Sequence, residues 1–247
     1  MKPAGSFSKL AAYGVAVAAI ILASSAQAAA GSAVVQGVKG TAQHAVGGSW
    51  ETLTANTVLA PGAAVRTGVN SQIDLSLGAN GKSVMLLENT TLELTTLNRS
   101  RTGLDVVFET FLTLQTGTIH GEVKKFSEAS KYEVKTPHTI VGLKGDEDSE
   151  YQISADGKTS LLRGSAVIAY TNPSSQLVTT STVGKNQSFV PPIDPSAAAP
   201  SVRPTQSGDV TPANSVPRPG GFGAPAAPVV AVKEPVQFVS PAVGVSQ

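Results

Sequence analysis

Residues 58–94, VLAPGAAVRTGVNSQIDLSLGANGKSVMLLENTTLEL, constrain the fold more than any other part of this chain. Ile73, Leu75 and Leu77 fall on one side of a period-two pattern and Asp74 and Ser76 on the other. Leu92 and Leu94 alternate with Thr91, Glu93 and Thr95 in the same way. Side chains alternate across a strand but recur every 3.6 residues on a helix, so these runs read as half-buried strands. Pro61-Gly62 predicts a type II reversal, with Pro fixing φ at one corner and Gly taking positive φ at the next. Asn80-Gly81, between two apolar runs, predicts a hairpin-type turn.

The same stretch, with the residues just before it, carries a family pattern. Trp50, Leu53, Leu59, Gly62, Val65, Thr67, Gly68, Ser71, Leu75, Leu77 and Gly81 supply a Trp and Leu, a Leu-x-x-Gly turn, a hydrophobic-x-Thr-Gly step and a Gly-centred turn. Thr136, Pro137, Gly142 and Gly145, within KTPHTIVGLKG at 135–145, supply a Thr-Pro, a small apolar run and a basic-Gly step. Together they resemble the FecR-like domain family over residues 34–170. The resemblance departs at the second motif, where Lys144 stands for the usual Arg and Asp146 for the usual Thr, and where the next strand arrives about three residues late.

The pattern continues on both sides. Strands are expected at 33–38 and 41–46, joined around Gly40, and a polar turn at 98–103. A long strand is expected at 105–114, where Val106, Phe108, Leu112 and Leu114 share a face and β-branched and aromatic residues abound. Leu-x-x-Gly-[Thr/Ser] opens a strand at Gly117 and again at Gly164, and the related Leu-Ala-Pro-Gly-Ala does so at Gly62. The fold class is therefore all-β: a twisted β-roll, solenoid-like sheet or sandwich of short strands spanning 33–190. Trp50, in a chain with one Trp, is expected as a core anchor, the alternative being a sugar-stacking platform.

Residues 1–28 read as a signal peptide: Lys2 and Lys9 form a basic region, residues 10–22 an apolar one, and Ala26-Gln27-Ala28 a cleavage site. An uncleaved anchor is the alternative, but thirteen apolar residues fall short of the roughly 20 that span a bilayer. The expectation is export to the periplasm or beyond, with no transmembrane segment after cleavage. The chain has no cysteine, which excludes disulfides, thiolate catalysis and Cys-ligated zinc.

Residues 34–190 carry 13 Lys and Arg against 14 Asp and Glu with the signs interleaved, so no basic face announces nucleic acid. The densest basic region, Lys124, Lys125, Lys131 and Lys135, is interrupted by Glu128 and Glu133. Lys131, Glu133 and Lys135 alternate with Tyr132 and Val134, so this region reads as the solvated face of a strand rather than a polyanion site.

Candidate chemistry is sparse. Lys144, Asp146, Glu147 and Asp148 form a possible partner-binding loop. With Glu150 the three acids could gather oxygen ligands for calcium, although the spacing of an EF-hand loop is absent. His44, His120 and His138 stand in no metal or catalytic spacing, and Ser165 lies outside any nucleophile elbow. No catalytic residue, cofactor or metal is assigned.

Twelve of the sixteen prolines lie from Pro191 onward, and 191–247 is expected to be a disordered tail whose removal costs little stability. Phe238 and Val239, in a Phe-Val-Ser-Pro phrase matching Phe189-Val190-Pro191-Pro192, are its possible contact residues. The resemblance implies a binding module, because FecR-type regulators relay the state of an outer-membrane transporter from the periplasm to an anti-sigma segment. With a leader and no such segment, the expected function is a non-enzymatic, exported binding or scaffold module whose partner is an envelope protein or polysaccharide. The alternatives are an accessory in transporter-coupled signalling and a secreted carbohydrate-active enzyme.

Overall fold

The structure, a computed structural model, describes residues 29–102, 105–196 and 199–211. Its strands form two sheets. Sheet A runs, edge to edge, β17 (Val178–Val183), β16 (Ala166–Thr171), β13 (Thr139–Leu143), β12 (Lys131–Lys135), β10 (Asp105–Thr116), β9 (Thr91–Thr102), β6 (Ala64–Thr67), β3 (Ala42–Val46) and β4 (Ser49–Thr52). A short β1 (Ala29–Ala30) pairs with the far end of β9. Sheet B runs β19 (Ser201–Pro204), β18 (Gln187–Val190), β15 (Thr159–Arg163), β14 (Ser149–Ser154), β11 (Thr118–Val123), β8 (Ser83–Leu86), β7 (Gln72–Ser76), β2 (Ala33–Lys39) and β5 (Val58–Leu59). Among the described residues there is no α-helix, and none is long and apolar enough to cross a membrane.

Both sheets contribute to one core. Ile73, Leu75, Leu86, Ile119 and Ile153 come from sheet B, and Leu92, Leu112, Val134, Val141 and Ile168 from sheet A. Period-two burial holds along most strands, as in β11 and β16. In β9 the buried set shifts parity from Leu92 and Leu94 to Leu97, and the cause is a bulge: two residues of β9 oppose one of β10 between the pairs Glu93/Thr113 and Thr96/Phe111.

The Leu-x-x-Gly device is a sheet-crossing corner. The chain changes sheets at the motif glycines Gly62, Gly117 and Gly164, and also at Gly40 outside the motif, with φ angles between 77° and 85°. At Gly117 a side chain would also run into Thr90, whose hydroxyl accepts the amide of Thr118 at 3.0 Å. Gly40 covers Ser71 in the same manner, and Ser71 accepts the amide of Thr41 at 2.8 Å. The corner thus needs both positive φ and close approach, which glycine alone supplies without strain. The two strands expected on either side of Gly40 are present at 33–39 and 42–46, and the join between them is a corner that puts them in different sheets.

Other expectations change too. The reversal at Asn80-Gly81 does join a hairpin, β7 with β8, but Gly81 is extended and the positive φ falls on Gly78, in a single 3-10 turn, Gly78–Asn80. Asn98 to Thr102 are strand, not turn, because β9 and β10 stay paired as far as Thr102 and Asp105; Gly103 lies outside the described residues. Trp50 is outside the core: it pairs with Ala45 at the sheet edge, half-buried, with the Arg66 guanidinium 4.0 Å from its ring centre. Stacking against a cation satisfies the ring without burying it.

The tail is corrected over its first part. Residues 201–204 extend sheet B along β18. Beyond them Asp209 is buried between Arg203, which grips it with both nitrogens at 2.5 and 2.8 Å, and Lys158 at 2.7 Å. Proline composition excludes a packed core but not an edge strand, where missing amides face solvent. Residues 1–28 and 212–247, with the leader, Phe238 and Val239, lie outside the described residues.

Candidate functional site

A pocket of about 380 Å³ opens between the 78–82 turn and the end of β11 on the side of sheet B and β10 and β12 of sheet A. Its floor is built first by a turn. Thr110 donates its hydroxyl to the carbonyl of Asn80 at 2.7 Å, and the Asn80 amide reaches the carbonyl of Asn98 at 2.9 Å, which locks residues 78–80 against the β9–β10 hairpin. Gly81 leaves room for the ring of Tyr132 and for Leu77, since a Cβ there would lie 3.1 and 3.2 Å from them. Tyr132 in turn shares a hydrogen bond of 2.7 Å with Tyr151 in the core. Burial pushes both phenols well above their ordinary range, so neither exchanges a proton near neutral pH.

Two phenylalanines form the walls. Phe108 is fixed by its amide, which donates to Ser130 Oγ at 3.0 Å, and Ser130 shares a hydrogen bond of 2.8 Å with Ser127. Phe126 donates its amide to the carbonyl of Gly145 at 3.0 Å, and its ring occupies the place a side chain at Gly145 would fill. The 144–148 turn therefore stands behind the pocket wall. Its one carboxylate with a hydrogen bond, Asp148, accepts the amide of Lys125 at 2.8 Å.

The rim is cationic. Lys82, Lys124, Lys125 and Lys131 line the mouth and are exposed. Lys82 is ion-paired with Glu122, and the hydrogen bond from Lys82 is the main cause holding the Glu122 carboxyl below its usual range. Among the described residues Lys124, Lys125 and Lys131 have no acidic partner within 4 Å. Glu109 is the cross-strand neighbour of Lys131 without forming an ion pair.

The residues singled out by sequence separate into groups. Lys144, Asp146, Glu147 and Asp148 share an exposed turn, but Glu150 leaves it for sheet B, where it meets His120 at 3.4 Å and Arg163 at 2.9 Å. The acids diverge, and no group of three or more His, Asp or Glu among the described residues converges as a metal site. Thr67 is buried, donates to the Leu87 carbonyl at 2.5 Å and accepts the Thr90 amide at 2.9 Å. Thr136 closes its turn by accepting the Thr139 amide at 3.0 Å, while Pro137 and His138 are exposed there. Gly68 bonds to Thr41 and Asn89 through its backbone, and Gly142 lies in β13 without a close contact that a side chain would violate. His44 is apart from the others, and Ser165 serves through its carbonyl, which accepts the Lys144 amide. The pocket itself escaped the sequence reading, because Lys82 and Lys131 approach Lys124 only through the pairing of four strands.

Residues 63–167 match the family described as FecR protein. The chain carries a FecR-like domain. No curated protein and no solved structure gives a significant match. The FecR-like span contains every residue lining the pocket and the second signature turn, whereas Trp50 and Gly62 precede it. A FecR-like domain marks a cell-surface, signalling-related module, and such modules act through protein interactions.

Proposed function

We propose that this chain is a non-enzymatic binding module of the cell envelope, exported by its leader, which holds an envelope protein or polysaccharide at the pocket of its FecR-like domain. The observation that carries this reading is the placement of Phe126. A wall of the pocket is set by Gly145, a residue of the family signature, and the rim bears three lysines that have no acidic partner among the described residues. Such a concavity, part apolar and part charged, suits recognition. The FecR family is not known for enzymatic activity, which supports the same side.

The 144–148 turn adds Lys144, Asp146 and Glu147 as a second, exposed contact beside the first, and Phe238 and Val239 supply a contact phrase beyond the domain. The test is capture from envelope extract by the intact protein, by a Lys124→Gln/Lys125→Gln/Lys131→Gln variant and by a protein lacking 236–247. Loss of the same component on changing the lysines supports the pocket; equal recovery by all three defeats the pocket and the tail phrase as contacts. The family match favours a second reading, an accessory in transporter-coupled signalling, and recovery of an outer-membrane transporter would establish it over a scaffold.

A further inference from the structure

Resting on the pocket as the contact site, we infer that its ligand is an acidic polysaccharide, a chain of pyranose rings bearing carboxylates. Three properties of the pocket select that chemistry. Its volume of about 380 Å³ is of the order needed for one or two sugar rings and is too wide for a lone inorganic anion. Its walls are aromatic: Phe108 and Phe126 are half-buried, each held through its backbone amide, so they present fixed apolar surfaces on which the C–H face of a sugar ring can lie.

The cations are also arranged for distributed charge. Lys124, Lys125 and Lys131 come from two separate segments and surround the mouth, and among the described residues no arginine lines it to grip one carboxylate in two-pronged fashion. Flexible ammonium groups act as point charges and suit carboxylates repeated along a chain. Lys82 stands apart, held by Glu122.

A peptide ligand is disfavoured by the same geometry. Extended peptides recognise an open strand edge through backbone hydrogen bonds. At the pocket the edge of β10 leads into β12, which pairs with it from Glu109 onward, and the preceding amide, that of Phe108, is already held by Ser130. What remains open is a ring-sized cavity with charge around it.

The experiment is calorimetric titration of the native protein with hexagalacturonate, with a neutral glucose hexamer and with hexaglutamate, each at 50 and 300 mM salt. Hexagalacturonate should bind best, and its affinity should fall on raising salt. Changing Lys124, Lys125 and Lys131 together to Gln should weaken it about tenfold, since each exposed charge contributes only modestly. Phe126→Ala should weaken it roughly three- to tenfold with the salt dependence retained. All three lysines are exposed, so the triple variant should fold, and its circular dichroism verifies this. Equal affinity for the neutral hexamer, or no change in the lysine variant, would overturn the inference. Tighter binding of hexaglutamate would assign the pocket to an acidic protein instead. If uronate fails while the lysine variant still loses its component from envelope extract, the ligand class falls and the binding module stands; if both fail, both fall.

Discussion

Gly145 has no side chain because the ring of Phe126 stands where one would be, and the Phe126 amide donates to the Gly145 carbonyl at 3.0 Å. This pairing joins the second family signature to the pocket wall. Gly145→Ala should displace the ring, cost about 1–3 kcal/mol and lower ligand capture. Shortening the ring removes the obstacle, so Phe126→Ala/Gly145→Ala should be less destabilised than the sum of the single changes. Urea unfolding of the four proteins measures that coupling, and strictly additive losses would mean that the two residues do not constrain each other.

Truncation separates two parts of what the sequence presents as one proline-rich tail. Cutting after Thr211 should leave the melting temperature unchanged, because β19 and the Asp209 clasp remain. Cutting after Pro192 removes β19 and leaves Lys158 and Ser160 without Asp209 above them. Loss of the strand together with the partly exposed ion pairs of Asp209 should lower the melting temperature by several degrees. The hydrogen bond from Arg203, aided by Lys158, holds the Asp209 carboxyl below the usual carboxylate range. A depressed folded value means stability present above the unfolded range near pH 4 and lost as pH falls below it. The full-length protein should therefore lose the ion-pair part of its advantage over the 1–192 fragment at low pH, while the part owed to β19 remains.

Asp74 has the opposite sign. It is 8 % exposed on β7, and its Oδ2 has no partner among the described residues. Burial, reinforced by Glu122, raises its carboxyl to about 6. Because the folded value is raised, the folded chain holds its proton more tightly than the unfolded one. Stability then falls as pH rises from about 4 to about 6 and stays lower above, by on the order of 2–3 kcal/mol. Asp74→Asn should match the parent near pH 4 and melt about 5 °C higher at pH 7.5. Equal melting at both pH values would show that the carboxyl ionises at no cost.

The legible and illegible parts of this structure divide by the range of the interaction. Ile73, Leu75, Leu92 and Leu94 are buried as their alternation predicts, since period-two burial is local. The Pro61-Gly62 reversal is equally local: Gly62 has φ 85°, and the Ala63 amide reaches the Ala60 carbonyl at 3.1 Å. Alternation assigns each residue to a face but does not say whether that face is dry, and Asp74, on the outer face, is buried all the same. Nor does it say which sheet a strand joins, so nothing in it separates β2 from β3. The pocket lies further out of reach, for β10 and β12 pair in parallel only because β11, between them in sequence, belongs to the other sheet. Lys131 and Lys124 meet through that crossover, whereas the signature turn at 144–148 announced its own position by departing from the family.

The sheet-crossing corners allow strain and crowding to be measured apart. Gly62 and Gly117 have nearly the same φ, 85° and 79°, but a side chain at Gly62 would meet open space while one at Gly117 would overlap Thr90 and the carbonyl of Asn89. Gly62→Ala should therefore show the conformational penalty alone, about 1–2 kcal/mol. Gly117→Ala should add displacement of the Thr90 backbone, and with it the hydrogen bond to the Thr118 amide, for a total above about 3 kcal/mol. Asparagine tolerates positive φ better than alanine, and four of the five non-glycine residues of this kind in the described chain are Asn56, Asn70, Asn89 and Asn186. Gly62→Asn should accordingly recover much of the Gly62→Ala loss, while Gly117→Asn should recover none. Thermal melts of the four variants decide it: if both asparagine variants are rescued alike, φ alone governs the corners and the close approach to Thr90 contributes nothing.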